Sequence, residues 1–235
     1  MERDDVRAVF FDAGYTLLCM DPPQETLFLR VCSELGIRVD AERLADAVHR
    51  ANALLAPRTP AHVPAPFSQE RVDRFWIDYH RTVLHGCATV SGPDSLAETL
   101  YRRFSAALGW RIYDDVRPLL IELRARGIAL GIISNWTGDL EEVLRRIDLH
   151  EPFDIILDSA RFGHEKPHPE IFAEALRRAG VSPSRALHVG DSIEHDVDGA
   201  LRSGLRPILI DRADKHAAFD RAPRVASLSG VLAYL

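Results

Sequence analysis

From about Arg111 to Ile210 the chain alternates short apolar runs with helical patterns, and no other feature narrows its fold as much. Residues 116–126 read as a helix stopped by Gly127, and residues 128–133 as a fully buried strand. A helix over 140–147, a strand over 155–157, a helix over 169–179, a strand over 186–189, a helix over 196–202 and a strand over 207–210 follow. Strands that alternate with helices need crossover connections, and these are right-handed, so the pattern predicts an α/β fold around a parallel sheet. Near the N-terminus, Val9-Phe10-Phe11 is one more buried strand, without a partner unless it joins the later sheet. The simplest topology is a doubly wound core.

Between that first strand and Arg111 the character is helix upon helix. Residues 24–35, 41–55, 68 to about 85 and 95–108 carry apolar side chains at helical spacing, with no strand signal among them. Residues 56–67 hold Pro57, Pro60, Pro64 and Pro66 and must be an irregular connector. Residues 19–108 therefore read as a helical insertion in a core built from 1–18 and 109–235. At 235 residues and 46% hydrophobic, the chain has enough apolar material for one large domain or two smaller ones. Lys and Arg total 29 against 35 Asp and Glu, a formal net charge of −6, which gives no field to draw nucleic acid or an anionic membrane. Cys19, Cys32 and Cys87 are odd in number and widely spaced, so they are read as reduced thiols rather than a disulfide framework or a zinc site. No signal peptide and no apolar run near the roughly 20 residues of a membrane span are seen, and a cytoplasmic location is expected.

The polar residues fall where the strands end. In a sheet with helices on its faces, ligands collect outside the carboxyl ends of the strands. Val9-Phe10-Phe11 delivers Asp12 to that edge, followed by Ala13-Gly14-Tyr15-Thr16, which makes Asp12 a candidate nucleophile or metal ligand. The plainer reading is a turn cap. Ile132-Ile133 ends in Ser134-Asn135, a candidate donor pair for a phosphate oxygen and also a common turn pair. Lys166 lies in the loop before the helix at Pro169 and is one of only two lysines, the other being Lys215. The run His188-Val189-Gly190-Asp191-Ser192 leads into Glu194, Asp196 and Asp198, carboxylates that repel unless a cation compensates them. Asp191 and Asp12 across the sheet, with water and a substrate phosphate, suit Mg²⁺. Asp196 is placed to support the site, and Asp198 to face solvent.

Asp12 with Thr16, then Ser134, then Lys166, then Gly190-Asp191-Ser192 with Asp196 resemble, in order, the four motifs of the haloacid dehalogenase-like (HAD) hydrolase superfamily. The match is to its branch with a helical cap inserted after the first core strand, and it covers nearly the whole chain. It implies a Rossmann-like core and a helical cap in place of the insertion. It also implies an Mg²⁺-dependent phosphatase of a small phosphorylated metabolite, acting as a monomer or homodimer. In that reading Asp12 attacks phosphorus and forms an aspartyl-phosphate. Thr16, Ser134 and Lys166 complete the catalytic set; Ser134, Asn135 and Lys166 bind substrate. Asp12, the Gly14 carbonyl and Asp191 hold the metal, and Asp196 supports them.

Gly14 departs from the family pattern. Phosphatases of the family carry a second aspartate there, which protonates the leaving group and then activates water, and glycine has no side chain to do either. Tyr15, His164, Glu165, His49 and His80 are the candidate substitutes. Lost general acid–base catalysis is worth about 10²- to 10⁴-fold, so aryl and acyl phosphates suffer least. A metal-independent 2-haloacid dehalogenase also lacks the second aspartate and carries Ser-Asn, but does not need the Asp191 cluster. A phosphonatase-like reading fails because residues 19–108 contain no lysine for a Schiff base. A non-catalytic descendant that binds a phosphorylated ligand or a protein is the remaining alternative. In the cap, Phe67, Trp76, Tyr79, His80 and Arg81 are candidates to line an entrance, although Phe75, Trp76 and Tyr79 also have helical core spacing.

Overall fold

Apolar runs too short for helices become the strands of one sheet. A computed structural model describes residues 5–52, 68–89 and 93–235. Strand β1 (Ala8–Phe11) is buried along its whole length. A second strand, β2 (Leu18–Asp21), leads away from it into helices α1 (Gln24–Glu34), α2 (Ala41–Asn52), α3 (Gln69–Cys87) and α4 (Pro93–Ala107). Strand β3 (Gly109–Ile112) brings the chain back and pairs with β2 in a two-stranded sheet. The alternation then runs α5 (Val116–Ala125), β4 (Ala129–Ser134), α6 (Leu140–Arg146), β5 (Ile155–Asp158), α7 (Ser159–Phe162), α8 (Pro169–Ala179), β6 (Ala186–Gly190), α9 (Gly199–Arg202), β7 (Arg206–Ile210) and β8 (Arg224–Val225).

The main sheet has the order β5-β4-β1-β6-β7-β8, and all of its pairings are parallel. The orphan strand of the sequence is thus the central one. Phe11 is level with Ile132 on one side and Val189 on the other, so β1, β4 and β6 end within two residues of one another. Strand order reverses direction at β1, and this is the switch point at which open α/β sheets bind ligands.

The molecule divides into two compact units, one of described residues 5–19 and 111–235, the other of 20–52, 68–89 and 93–110. In the first unit Phe10, Ile133, Leu157, Ile171, Phe172 and Ala200 pack between sheet and helices. In the second, Leu27, Phe28, Leu44, Tyr79, Leu84 and Leu100 close a separate helical core. All three cysteines are free, with Cys32 and Cys87 buried there.

Most helix limits agree with the periodicity to within two residues, the usual uncertainty of helix ends. Some features differ. The β2–β3 pair was not predicted, because four-residue strands at the edge of helical patterns carry too few periods to register. The helix expected over 196–202 is instead a π turn (Ile193–Asp198) followed by α9, and the Asp196 side chain within that turn is drawn inward by partners far away in sequence. The short helix α7 and strand β8 were also not anticipated. The proline-rich connector, Phe67 and the last residues of the expected 41–55 helix lie outside the described residues.

Candidate active site

Three strand ends place the side chains. Asp12 follows β1 and is anchored by its own N–H, which donates to the Val189 carbonyl at 2.9 Å. Ser134 is the last residue of β4, and its hydroxyl donates to Asp12 Oδ1 at 3.0 Å. Lys166 reaches the same oxygen, with Nζ 2.6 Å from Asp12 Oδ1 and 2.6 Å from Asp196 Oδ1. Asp191, just beyond β6, is half-buried, and ligand atoms of Asp12, Asp191 and Asp196 all lie within 4.8 Å of one another. Both donors to Asp12 use Oδ1 rather than Oδ2.

Asp196 is the hub. Its Oδ1 accepts from Lys166 and from His188 Nε2 at 2.9 Å, and its Oδ2 accepts the Ser192 N–H at 3.0 Å. Such close approach needs Gly190. A Cβ there would sit 2.1 Å from Asp196 Cγ, well inside any allowed contact.

The charges follow from burial and from these pairings. Burial pulls the Lys166 ammonium toward the neutral form, but Asp12 and Asp196 outweigh it and hold its pKa above the ordinary value. Burial would also raise Asp196, yet Lys166 and His188 prevail and hold it well below the usual carboxylate range. His188 goes the other way: burial lowers it, so the ring is neutral and donates from Nε2. Lys166 and Asp196 thus form a fixed ion pair. Asp12 stays raised, chiefly by burial and then by Asp196 against the pull of Lys166. Asp191 is pushed well above its usual value by burial, Asp12 and Asp196. One ammonium cannot neutralise three carboxylates, and the deficit rests on Asp12 and Asp191.

The remaining candidates fall into place unevenly. Thr16 is fully buried, with no hydrogen-bond partner for Oγ1 among the described residues, while its carbonyl accepts from Arg212 at 2.9 Å. Asn135, expected at the substrate, instead grips the lysine loop: Nδ2 donates to the Lys166 carbonyl at 2.8 Å and Oδ1 accepts the Lys166 N–H at 2.7 Å. Its amide is committed to positioning Lys166. Beside Gly14, Trp136 Cζ3 lies 3.7 Å from the place a Cβ would take, with no other heavy atom of the described residues within 4 Å, chain neighbours aside. An indole ring, not an acid, occupies that side. Tyr15 is on the surface with φ 57°, Glu165 and His49 are exposed, and His164 pairs with Glu170.

In the helical unit, Tyr79 and His80 are buried rather than arrayed at an entrance. Tyr79 accepts from Gln24 at 2.6 Å and donates to Asn52 at 2.9 Å. His80 packs among Phe28, Tyr79, Tyr101 and Phe104, with Nδ1 2.8 Å from the Trp76 carbonyl. Trp76 packs against the same core, and Arg81 pairs with Asp78. The helical period of the α3 aromatics already signalled this core role. His188 was missed as a site residue, because a histidine inside an apolar strand reads as core.

A model of the haloacid dehalogenase-like hydrolases matches residues 6–204. The chain belongs to this family. It is 35% identical over 213 residues to haloacid dehalogenase-like hydrolase domain-containing protein 3 of Mus musculus, covering 88% of this chain and 83% of that one. A shorter match, 41% over 101 residues and 43% of each chain, is to glyceraldehyde 3-phosphate phosphatase of Methanopyrus kandleri. Among solved structures, a HAD hydrolase of Bacillus subtilis bound to magnesium has a TM-score of 0.77 at 21% identity, covering 99% of both chains. A dehalogenase has a TM-score of 0.73 at 26% identity, covering 99% of this chain and 98% of that one. This HAD hydrolase therefore has the fold that its strand-end residues imply. Among the described residues, no helix is long and apolar enough to cross a membrane.

Proposed function

We propose that this hydrolase is an Mg²⁺-dependent phosphatase of small phosphorylated molecules with good leaving groups, and that Asp12 is its nucleophile. The observation that carries this is the convergence of Ser134 and Lys166 on one oxygen of Asp12 with Asp191 alongside. The partial match to a phosphatase supports the reading.

The residues present fit a hard divalent cation. Asp12 and Asp191 are oxygen donors whose negative charge Lys166 cannot balance alone, whereas Asp196 already accepts three hydrogen bonds. Asp12, Asp191 and the Gly14 carbonyl would hold Mg²⁺, which keeps several waters and uses one or two carboxylates. When bound, the cation supplies charge neutralisation to the transferring phosphoryl group. Asp12 Oδ2 forms the new bond to phosphorus as the bond to the leaving oxygen breaks, and the ammonium of Lys166 and the hydroxyl of Ser134 steady the carboxylate. Water then cleaves the aspartyl-phosphate. Splitting one displacement into two is the benefit of covalent catalysis.

No side chain at position 14 donates a proton to the departing oxygen, and the neighbouring Trp136 ring does not replace one. Aryl and acyl phosphates, which leave unprotonated, are the expected substrates. A second reading, 2-haloacid dehalogenation by Asp12, draws on that same missing acid but leaves Asp191 without a task. The test is hydrolysis of an aryl phosphate. Turnover that requires Mg²⁺ and is lost in Asp12→Asn is expected. Halide release from a 2-haloacid without metal, with no phosphatase activity, would replace this reading by the second.

A further inference from the structure

A second group of ligating side chains stands outside the Asp12 site, on the loop that carries Lys166. His164 and His168 bracket the lysine in sequence, and Glu170 lies in the first turn of α8. One ligand atom from each lies within 4.8 Å of the others. The two imidazoles face one another, with centroids 4.5 Å apart and planes 33° apart, and His164 Nε2 is 2.8 Å from Glu170 Oε2. We propose that His164, His168 and Glu170 form a second divalent-cation site, one that takes a borderline ion such as Zn²⁺ and is separate from the all-oxygen site at Asp12 and Asp191.

The donor set chooses the ion. Two imidazole nitrogens and a carboxylate suit zinc, copper or nickel, whereas magnesium keeps to oxygen. Tetrahedral zinc with bonds near 2.0–2.1 Å holds its ligands roughly 3.3 Å apart, so the present spacing closes by small side-chain rotations. The fourth position stays open to water.

The site is also partly built. The His164 side chain is only 14% exposed and lies beside the Phe162 ring, so its position is fixed before any ion arrives. Glu170 is 61% exposed, which leaves a path from solvent. His168 Nδ1 accepts the Glu170 N–H as the helix cap, but at 3.3 Å that bond is long and weak enough to yield when the ring turns to a cation. A bound ion would tie the loop to α8 on both sides of Lys166, while Asn135 grips the backbone of Lys166 itself.

Cobalt reports such a site through the visible absorption of its tetrahedral complexes. The metal-stripped full chain, held in excess Mg²⁺ to occupy the oxygen site, is titrated with Co²⁺ and then challenged with Zn²⁺. One Co²⁺ per chain is expected, displaced by Zn²⁺, with the absorption retained in Asp191→Asn. His164→Gln and His168→Asn should each weaken binding more than about 100-fold, beyond the 10- to 100-fold typical of outer-shell partners. Asparagine at 168 keeps a helix-capping side chain. Should a histidine variant fail to fold, the exposed Glu170→Gln carries the same readout. Absence of the absorption in the unaltered chain, or its survival in the folded variants, would overturn the proposal. Retention in Asp191→Asn separates this result from any failure of the Mg²⁺ site.

Discussion

Gly14 is the residue on which the chemistry turns. Its φ is not in the left-handed region, and among the described residues a Cβ there meets only the Trp136 ring at 3.7 Å, so neither backbone strain nor crowding demands glycine. Gly14→Asp is therefore expected to fold and to raise alkyl phosphate turnover at least tenfold, part of the roughly 10²- to 10⁴-fold that acid–base catalysis contributes. Steady-state kinetics on paired alkyl and aryl phosphates would show it; an equal change on both would mean that the new carboxyl is not acting as an acid. His80 makes a second residue-scale prediction. Burial drops its pKa from 6.5 to about 4, so the folded state keeps the ring neutral where the unfolded chain protonates it. The corresponding stability is intact above pH 6.5 and falls away as pH drops towards 4, in total about 3 kcal/mol. Calorimetry of His80→Phe should show a flatter loss across that interval, and an unchanged slope would assign the loss to other groups.

At the scale of elements, the π turn after β6 is the device that turns Asp196 towards Lys166. It depends on a bare Gly190. Gly190→Ala puts a methyl where the Asp196 carboxyl now sits, and the resulting overpacking should cost about 1–3 kcal/mol along with most of the hydrolase activity. Urea unfolding beside an activity assay would check this, and a stable, active variant would show that the turn relaxes freely. The same turn marks where the sequence stops being readable. Asp12, Ser134 and Asp191 stood out as candidates because apolar runs end at or beside them, and strand ends are visible in hydrophobicity; Lys166 stood out as one of only two lysines, in a loop just before a helix. The grip of Asn135 on the lysine loop and the bond from His188 to Asp196 join residues 31 and 8 positions apart, through side-chain contacts that no periodicity encodes.

For the whole molecule, the division into a parallel-sheet unit and a helical unit was legible because hydrophobic period changes from one to the other. The paired strands β2 and β3, which carry the chain out and back, were not, being four residues each. The burial of Lys166 has a practical corollary. Acylating reagents need an exposed, unprotonated amine, and this lysine is 2% exposed and locked as a cation between two carboxylates. Lys215, the other lysine of the chain, is exposed. Mild acetylation followed by peptide mass spectrometry should therefore modify Lys215 and spare Lys166, with the reverse pattern showing that the buried pair opens readily. A chain otherwise furnished with arginine thus offers a single side-chain amine for attachment, and coupling a dye or a solid support there would leave the Asp12 chemistry untouched.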